Sequence, residues 1–412
     1  MASDTGRSQS NNGRPRIERV ALLGAIFVVG GLLASLGAPP FPMLHQGMMA
    51  TLTLAHELTR SRPDLLAPSP YKVGGLVAQL PEASQPGPTL IQGILPGGVQ
   101  LRMIDSEGRE LHRWEIDLDA IWDRGAMDHV SPAANVPKSD WDYHSQGFWP
   151  LPDGSVVVNV SDLGAARLGK CGQVIWRLDR MAHHAVTPSP GGKFWIPGHI
   201  RVDETPQRLL PRGMSPVEIE RMIVGKGHNY NNSIMLVNSN GVVEKEFSVL
   251  EAVTEAGLEN ALYASLQEVP ADPTHLNDVE VVTEALAARI PDAAPGDLLV
   301  SLRNMSMLAI LDESDGSLVW HRQGPWLRQH DPDILPDGTI QLFNNRARVI
   351  GDGVRSSQIL SYDPATDRTD VLHPVGEQDR FYTPIMGTHQ RLANGNRLIT
   401  ESMAGRVFEV TP

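Results

Sequence analysis

The chain has 412 residues, of which 48 are acidic and 35 are basic, and its formal net charge is −13. Apolar residues make up 41 %, which is too many for a disordered chain and enough for one large domain or two ordinary ones. The negative charge argues against a nucleic-acid partner, because such a partner needs a basic face. A single cysteine, Cys171, excludes an intramolecular disulfide and any multi-cysteine metal site, and we expect it to be small and buried.

The amino-terminal part contains an uncharged run from Val20 to Ala38, whose 19 residues are enough to cross a bilayer as a helix. Arginines precede the run, and by the positive-inside rule residues 1–19 form a cytoplasmic tail. A cleaved signal peptide is the alternative, although Leu36 interrupts the small-x-small cleavage pattern that would end at Ala38. We predict a single transmembrane helix over 20–38 in the inner (cytoplasmic) membrane, with the rest of the chain on the periplasmic side.

Residues 39–70 connect this predicted anchor to the rest of the chain. Prolines cluster at both ends of the segment and bracket a predicted helix near 45–60. Such a segment suits either a stalk or a small packing helix, and the pattern does not distinguish the two. The main domain is predicted to cover residues 71–412.

In the main domain, short β-rich runs alternate with turn residues. One recurring phrase places Asp or Asn, then Gly, then an aromatic residue a few positions on. Such a phrase is typical of two antiparallel strands joined by a tight turn, because Asn, Asp and Gly favour the positive φ angles that hairpins need. It occurs at residues 105–114, 172–176, 238–247 and 312–320, with a weaker copy at 363–367.

A second recurring phrase, Pro-Asp-Gly or a variant, precedes an apolar strand. It occurs at residues 152–154, 190–192, 336–338 and 394–395, with a looser copy at 295–297. The two phrases alternate with a spacing of about 40 to 75 residues, the length of one four-stranded sheet with insertions. This period predicts an all-β fold, a β-propeller of five or six blades, with an irregular β-sandwich as the alternative.

Two segments interrupt the period, residues 203–232 and 249–295, and both have helical patterns. In the first, Ser215, Pro216 and Glu218 form the sequence signature of a capping box, so a helix is predicted to begin there. Helical insertions of this kind are expected on one face of a propeller, as a lid or a binding surface.

Several of the 14 histidines occupy one position of the repeat, shortly before the second phrase. His184 and His330 each lie seven residues before the middle of their turn, and His144 lies nine residues before it. Because the innermost strands of successive blades line a common channel, equivalent positions are predicted to converge. The predicted ring consists of His144, His184, His275, His330 and either Thr388 or His389.

The same part of the chain contains a series of short polar phrases. In chain order they are His183-His184, Asp272-Pro-Thr-His275-Leu-Asn277-Asp278, Ser301-Leu-Arg303-Asn304, His330-Asp-Pro-Asp-Ile-Leu-Pro-Asp-Gly338, Phe343-Asn-Asn345 and Thr388-His-Gln-Arg-Leu-Ala-Asn-Gly395. Taken together, about residues 140–405 resemble the bacterial arylsulfate sulfotransferase family. The resemblance implies a six-bladed periplasmic propeller that moves a sulfuryl group between phenols without a nucleotide sulfate donor, through a transiently sulfated histidine.

The resemblance also implies roles for individual residues. It makes His330 the nucleophile, and the further catalytic residues are His275, Arg303 and His184. The expected partners are an aryl sulfate donor and a phenol acceptor, with no cofactor, no metal and no nucleic acid. The predicted substrate-binding residues are Asn277 and Thr388 from the resemblance, together with His144 and His389 from the histidine register.

Displacement at a sulfate monoester needs an in-line nucleophile, donors for the sulfuryl oxygens and a proton for the leaving phenolate. A neutral imidazole is a competent nucleophile near neutral pH, and Arg303 and Asn277 are candidate donors. Because a phenol has a pKa of about 10, its departure is helped by a general acid, for which His275 and His184 are the candidates. The predicted mechanism is ping-pong transfer through His330.

Other classes of function stay open at this point. A non-catalytic, membrane-anchored propeller would act as a binding or assembly subunit and would use the helical insertions to contact a membrane-protein partner. A quinone-cofactor dehydrogenase would account for the repeated glycine-to-tryptophan phrase, although the chain is short for an eight-bladed sheet. A channel metal held by three or four histidines is a further alternative.

Overall fold

The computed structural model describes residues 28–30, 66, 68–140, 142–224, 229–268, 271–347 and 355–412. Residues 64–412 form one compact unit. The described residues 28–30 are helical, and the rest of the predicted anchor over 20–38 lies outside the described residues, as does the predicted helix near 45–60. In the parts of the chain that the structure describes, no helix is both long and apolar enough to cross a membrane.

The described residues form six antiparallel sheets, numbered here 1 to 6 in chain order. Sheets 1 and 6 have three strands, the other four sheets have four, and strands adjacent in the chain are adjacent in the sheet. The first three sheets consist of β1 (Thr89–Leu95), β2 (Gly98–Ile104) and β3 (Glu110–Glu115); β4 (Ser145–Pro150), β5 (Val156–Val160), β6 (Gly164–Leu168) and β7 (Val174–Leu178); and β8 (Thr187–Ser189), β9 (Lys193–Ile200), β10 (Asn231–Val237) and β11 (Val243–Ser248).

The last three sheets continue the same pattern of strands joined by short connections. They consist of β12 (Leu276–Val281), β13 (Leu298–Leu302), β14 (Met307–Leu311) and β15 (Leu318–Gln323); β16 (His330–Ile334), β17 (Ile340–Asn344), β18 (Gln358–Asp363) and β19 (Arg368–His373); and β20 (Thr388–Arg391), β21 (Arg397–Glu401) and β22 (Arg406–Val410).

Both recurring turn phrases lie between paired strands, as predicted. The phrase at 336–338 joins β16 to β17, and its Gly338 has a φ of +80°. The phrase at 312–320 joins β14 to β15, and its Gly316 has a φ of +77°. Glycine adopts this left-handed backbone without a steric penalty, which is why each turn contains it. The hairpin predicted for the first phrase is confirmed, and so is the strand predicted after the second.

Cys171 departs from its prediction. It is exposed, in the turn between β6 and β7, so the expectation of a small buried residue is wrong. The reason is local, because Gly172 beside it has a φ of +84° and the hairpin turn points both residues away from the sheet.

Helices lie in both segments that interrupt the period. Helix α2 (Pro216–Ile223) begins at the predicted capping box, in which Ser215 and Glu218 satisfy each other's backbone N–H groups, so this prediction is confirmed. In 249–295 the helical pattern does not extend through residues 276–281, because these residues pair with β13 as strand β12. Among the described residues from 68 onwards, the α-helices are α1 (Leu118–Ile121), α2, α3 (Val249–Glu255), α4 (Glu259–Glu268) and α5 (Glu284–Ala287).

The apolar core lies between the sheets. The described residues form five buried clusters, and each combines side chains of two successive sheets. Burying one large aliphatic side chain contributes about 1.5–3 kcal/mol, so each cluster holds its two sheets together. Residues 69–85 contact both ends of the series, because Ser69 donates to Ala404 next to β22 and Gln79 donates to Ser106 next to β2. The fold is therefore all-β and propeller-like, as predicted.

Candidate active site

The predicted histidines lie at the amino-terminal ends of the first strands of successive sheets. His144 and His275 directly precede β4 and β12, His330 is the first residue of β16, and His184 lies shortly before β8. Strands β4, β12 and β16 each contain a register shift close to this end. Bulges of this kind bend a strand and re-aim its side chains, so the same device orients His144, His275 and His330.

The backbone at these strand ends adopts unusual conformations. His184 has a φ of +54°, His275 of +48° and Asp331 of +53°. A non-glycine residue in this left-handed region costs about 1–2 kcal/mol, and the surrounding structure has to supply that energy. Since three such residues occur at equivalent places, the fold holds this part of the molecule in a strained arrangement.

Buried asparagine side chains hold the chain that leads into each of these strands. In every case the asparagine belongs to one sheet and its backbone partner leads into, or begins, the first strand of the next. A repeated interaction of this type fixes successive sheets relative to one another and places their strand ends together. The pairs are Asn159 with the carbonyl of His184, Asn232 with the N–H of Leu276, Asn277 with the carbonyl of Gln329, and Asn345 with the carbonyl of Met386.

Three predicted histidines meet at this place. The ring centroid of His184 lies 5.2 Å from that of His275 and 6.5 Å from that of His330. Arg303 adjoins them, since it donates its backbone N–H to the carbonyl of His275 and its charge acts on His330. We name this group the imidazole–guanidinium cluster: His184, His275, His330, Arg303 and Arg328.

The two guanidiniums share one acceptor. Arg303 and Arg328 are both buried, and the Nη1 atom of each donates to Oδ1 of Asn304 at 2.9 Å. Asn304 in turn donates Nδ2 to the carbonyl of Asp272 at 2.7 Å. Arginine presents a rigid fork of donors that matches the oxygens of a planar or tetrahedral anion. The pair therefore forms a positive, preorganised surface beside the three imidazoles.

The hydrogen bonds of His330 determine which of its nitrogens carries the proton. Asn345 donates Nδ2 to the carbonyls of Thr383 and Met386, which fixes the orientation of its amide. Its Oδ1 therefore accepts from Nδ1 of His330, at 2.6 Å, and Nε2 of the neutral ring keeps a lone pair. Burial lowers the pKa of His330 well below its ordinary value, and the charge of Arg303 lowers it further, so the ring is neutral.

His184 has the same tautomer for a related reason. Nε2 of His183 donates to the carbonyl of Gly198, so its Nδ1 accepts a hydrogen bond from Nδ1 of His184 at 2.8 Å. Nε2 of neutral His184 therefore carries a lone pair. Burial lowers the pKa of His184 well below its ordinary value and that of His183 to about 3. Both rings are neutral near pH 7.

His275 differs from these two rings because a carboxylate holds it. Oδ2 of the buried Asp272 accepts from Nδ1 of His275, and Oδ1 of Asp272 accepts from the backbone N–H of the same histidine at 3.0 Å. Asn232 also donates to Oδ1, at 2.9 Å. A carboxylate in this position orients the imidazole and stabilises its protonated form. Of the three histidines, His275 is the one whose ring a carboxylate holds.

The same strands carry a second group, which we name the carboxylate cluster. It contains Asp278 and Glu280 on β12, Asp331 and Asp333 on β16, and His389 on β20. Burial raises the pKa of Glu280 to about 8 and that of Asp333 to about 7. Burial lowers the pKa of His389, but Asp333 and Asp331 outweigh it and leave that pKa above its ordinary value.

The remaining predicted site residues lie in different environments. His144 is partly buried near His184, and burial lowers its pKa. Asn277 is buried and ties the chain before His330 into place. Thr388 is exposed and its hydroxyl pairs with that of Thr400, whereas His389 points the opposite way, into the carboxylate cluster. The last position of the predicted ring therefore corresponds to two different environments, an exposed one for Thr388 and the carboxylate cluster for His389.

Several residues that organise the site had no predicted role. Asp272, Asn304 and Asn345 stood inside the quoted phrases, but nothing in the residue order showed that they would hold His275, the two arginines and His330. Arg328 had one available signal, since it lies two residues before His330. The pairing of Asp331 with His389 joins residues 58 positions apart and had none.

The fold and the site define an all-β, propeller-like protein in which buried imidazoles and guanidiniums form a surface suited to an oxyanion. The family model described as arylsulfotransferase (ASST) matches residues 147–412. The chain therefore belongs to the arylsulfotransferase family, and the family predicted from the sequence phrases is confirmed.

Several solved structures resemble the chain at low identity. A protein of unknown function from Bacteroides caccae is 11 % identical with a TM-score of 0.46, covering 79 % of this chain and 90 % of that one. Hydrazine synthase of Kuenenia stuttgartiensis is 11 % identical with a TM-score of 0.41, covering 75 % and 70 %. A streptogramin B lyase is 10 % identical with a TM-score of 0.39, covering 76 % of each chain. At these values the likeness carries no functional argument, and no curated protein matches the chain.

Proposed function

We propose that the protein transfers a sulfuryl group from an aryl sulfate to a phenol, with His330 carrying the group as sulfohistidine. The observation that carries this proposal is the tautomer of His330, in which Asn345 keeps the proton on Nδ1 and leaves a lone pair on Nε2. An oriented, neutral imidazole is what attack on sulfur requires. Membership of the arylsulfotransferase family supports the substrate class.

In the first half-reaction Nε2 of His330 attacks sulfur, the N–S bond forms and the bond from sulfur to the phenol oxygen breaks. Arg303 and Arg328 stabilise the negative charge on the sulfuryl oxygens, because their donors are already oriented by Asn304. The leaving phenolate takes a proton from Nε2 of protonated His275, whose other nitrogen is held by Asp272.

The second half-reaction runs in reverse with a different phenol. The acceptor phenol gives its proton to His275, which became neutral in the first half, and the phenol oxygen attacks the sulfur of sulfohistidine. The N–S bond breaks and Nε2 of His330 regains its lone pair.

The proposal includes the arrangement that presents these groups. The six sheets are taken to be six blades of one propeller, closed by the contacts of residues 69–85 with both sheet 1 and sheet 6.

We also propose that residues 20–38 anchor the domain at the outer face of the inner membrane, on the basis of the uncharged run and the arginines before it. Protease added to spheroplasts should then degrade the domain, whereas a domain that stays intact until lysis would contradict this placement.

The test is direct detection of the covalent intermediate. The full chain, purified in detergent, is incubated with several aryl sulfates without an acceptor, and its intact mass is measured at neutral pH. We expect a gain of one sulfuryl group, on the peptide that contains His330, and its loss when a phenol is added. His330→Asn should show no gain, while the matched control His321→Asn, at an exposed position of β15, should behave as wild type. A wild-type chain that gains no mass and releases no phenol would overturn the proposal in favour of a membrane-anchored binding subunit.

A further inference from the structure

The carboxylate cluster lies on the same strands as the proposed catalytic histidines but takes no part in sulfuryl transfer. Nδ1 of His389 on β20 lies 2.8 Å from Oδ2 of Asp331, and Nε2 of the same ring lies 3.6 Å from Oδ2 of Asp333. One potential ligand atom from each of the three residues lies within 4.8 Å of the other two. Side chains of three such types at this separation are a candidate metal site.

The environment of His389 is an independent indication that a ligand binds here. Its side chain is 0 % exposed, and its buried Nε2 has no hydrogen-bond partner among the described residues. Asp331 accepts from both Nδ1 and the backbone N–H of His389, which fixes the ring and directs Nε2 towards Asp333. A carboxylate that holds one imidazole nitrogen so that the other is presented is the usual arrangement of a metal-bound histidine.

A simple ion pair between His389 and Asp333 accounts for this geometry less well than a metal site does. An N–H donor facing a carboxylate closes to about 2.7–3.2 Å, as the Nδ1 side of the ring does. The Nε2 side stays at 3.6 Å from Asp333, which is too long for a hydrogen bond. Two ligands bound to one metal ion at about 2.1 Å each lie about 3.0–3.4 Å apart, so a small movement is enough for both to bind one ion.

The surrounding charge also favours a cation. Asp278 and Glu280 on the neighbouring strand β12 lie close enough to Asp331 and Asp333 for their charges to interact. Asp331 and Asp333 therefore act directly on the imidazole of His389, and the charges of Asp278 and Glu280 act on those two aspartates. Carboxylates that are partly removed from water gain from being paired, protonated or bound to a metal.

We propose that Asp333 and His389, through Nε2, bind one divalent transition-metal ion, and that Asp331 holds the imidazole in place from its Nδ1 side. The ligand set combines carboxylate oxygens, which suit Mn²⁺, with one imidazole, which disfavours Mg²⁺ and Ca²⁺. We therefore assign the site to an ion of the Mn²⁺ type, with Zn²⁺ as its competitor. The site is distinct from the three-histidine alternative, because His184, His275 and His330 do not contribute to it, and it does not depend on the proposed sulfuryl transfer.

The experiment measures metal binding and not activity. The full chain is purified without an affinity tag, stripped with chelator and titrated with Mn²⁺, and bound Mn²⁺ is followed by electron paramagnetic resonance and elemental analysis. We expect one ion per chain. Asp333→Asn and His389→Gln should each weaken binding at least tenfold, in line with the loss of one ligand. The matched controls Asp370→Asn, at an exposed position of β19, and His275→Gln should bind as wild type.

Three results would overturn the assignment. The first is the absence of stoichiometric Mn²⁺ or Zn²⁺ binding by the wild-type chain. The second is binding that His275→Gln abolishes and His389→Gln preserves, which would place the metal at the catalytic histidines. The third is binding of Ca²⁺ that His389→Gln leaves unchanged, which would exclude the imidazole as a ligand. Because the folded state is checked for every variant by circular dichroism, loss of structure is distinguished from loss of a ligand.

Discussion

The imidazole–guanidinium cluster and the carboxylate cluster share two strands and differ in charge. Strand β12 follows His275 and carries Asp278 and Glu280, while β16 begins with His330 and continues with Asp331 and Asp333. Histidines and arginines therefore gather at the strand ends, and acidic residues gather a few positions along the same strands. A single set of strands thus presents one positive and one negative surface close together.

Burial acts on the two clusters in opposite directions. It lowers the pKa of His184 and His330 and raises the pKa of Glu280 and Asp333, because a low dielectric penalises whichever form is charged. Burial thereby drives these two histidines and these two carboxyl groups towards their neutral forms, while the guanidiniums of the first cluster stay charged. Each cluster then gains most from an ion of the opposite sign, an oxyanion beside the guanidiniums and a cation beside the carboxylates.

The largest expected effect comes from removing a guanidinium of the first cluster. Arg303→Gln should lower kcat/KM for sulfuryl transfer about 10²–10³-fold, because a preorganised donor at a developing charge is lost. Steady-state rates with an aryl sulfate and a phenol give the value. Arg368→Gln, whose side chain is 72 % exposed on β19, is the matched control and should change kcat/KM by less than about twofold. An unchanged rate for a folded Arg303→Gln would show that the guanidinium is structural.

A smaller effect is expected from the residue that holds His275. Asp272→Asn should lower kcat about 10–100-fold for weakly acidic leaving phenols, because His275 then binds its proton less firmly. For a nitrophenol, which departs without a proton, the loss should be much smaller. The measurement is kcat across a series of donors of increasing leaving-group pKa. An equal loss for every donor would assign Asp272 to folding alone.

The next prediction concerns stability and pH at His183, which adjoins the imidazole–guanidinium cluster through His184. An unfolded histidine has a pKa of about 6.5, whereas burial lowers the pKa of His183 to about 3. The unfolded chain therefore binds a proton that the folded chain does not, and the free energy of unfolding falls as pH falls from about 6.5 towards 3. For one such residue the free energy of unfolding falls by about 2 kcal/mol between pH 7 and pH 5. His183→Gln should remove that part of the loss in urea denaturation, and His321→Gln should not.

The smallest expected effect concerns the carboxylate cluster, where the free energy of unfolding should change with pH in the opposite direction. Burial raises the pKa of Glu280 from 4.5 to about 8, so the folded chain keeps a proton that the unfolded chain has lost. The free energy of unfolding then falls as pH rises from about 4.5 to 8. With metal removed by chelator, Glu280→Gln should be stabilised relative to wild type by about 1 kcal/mol more at pH 8 than at pH 6, allowing for partial exposure. Glu377→Gln, at an exposed position, should show no such difference.

Short-range features of the fold were predictable from residue order. The turn phrases around Gly316 and Gly338 specify hairpins because glycine relieves a local steric conflict, and the capping box of Ser215 and Glu218 begins its helix for similarly local reasons. The strand at 276–281 was not predicted, because pairing with β13 and not composition determines it. The exposure of Cys171 was not predicted either, because the expectation rested on residue type and not on the turn at Gly172.

The histidine register and the family phrases were readable in the sequence, since a repeat places equivalent residues at equivalent strand ends and a family preserves their order. What the tertiary structure alone decided is which groups touch. The tautomer of His330 depends on Asn345, the proton on His275 depends on Asp272, and the aim of His389 depends on Asp331. The first and last of these pairs join residues 15 and 58 positions apart, across strands or sheets. Hydrogen bonds act over about 3 Å, so only the packing of neighbouring sheets brings such atoms within reach.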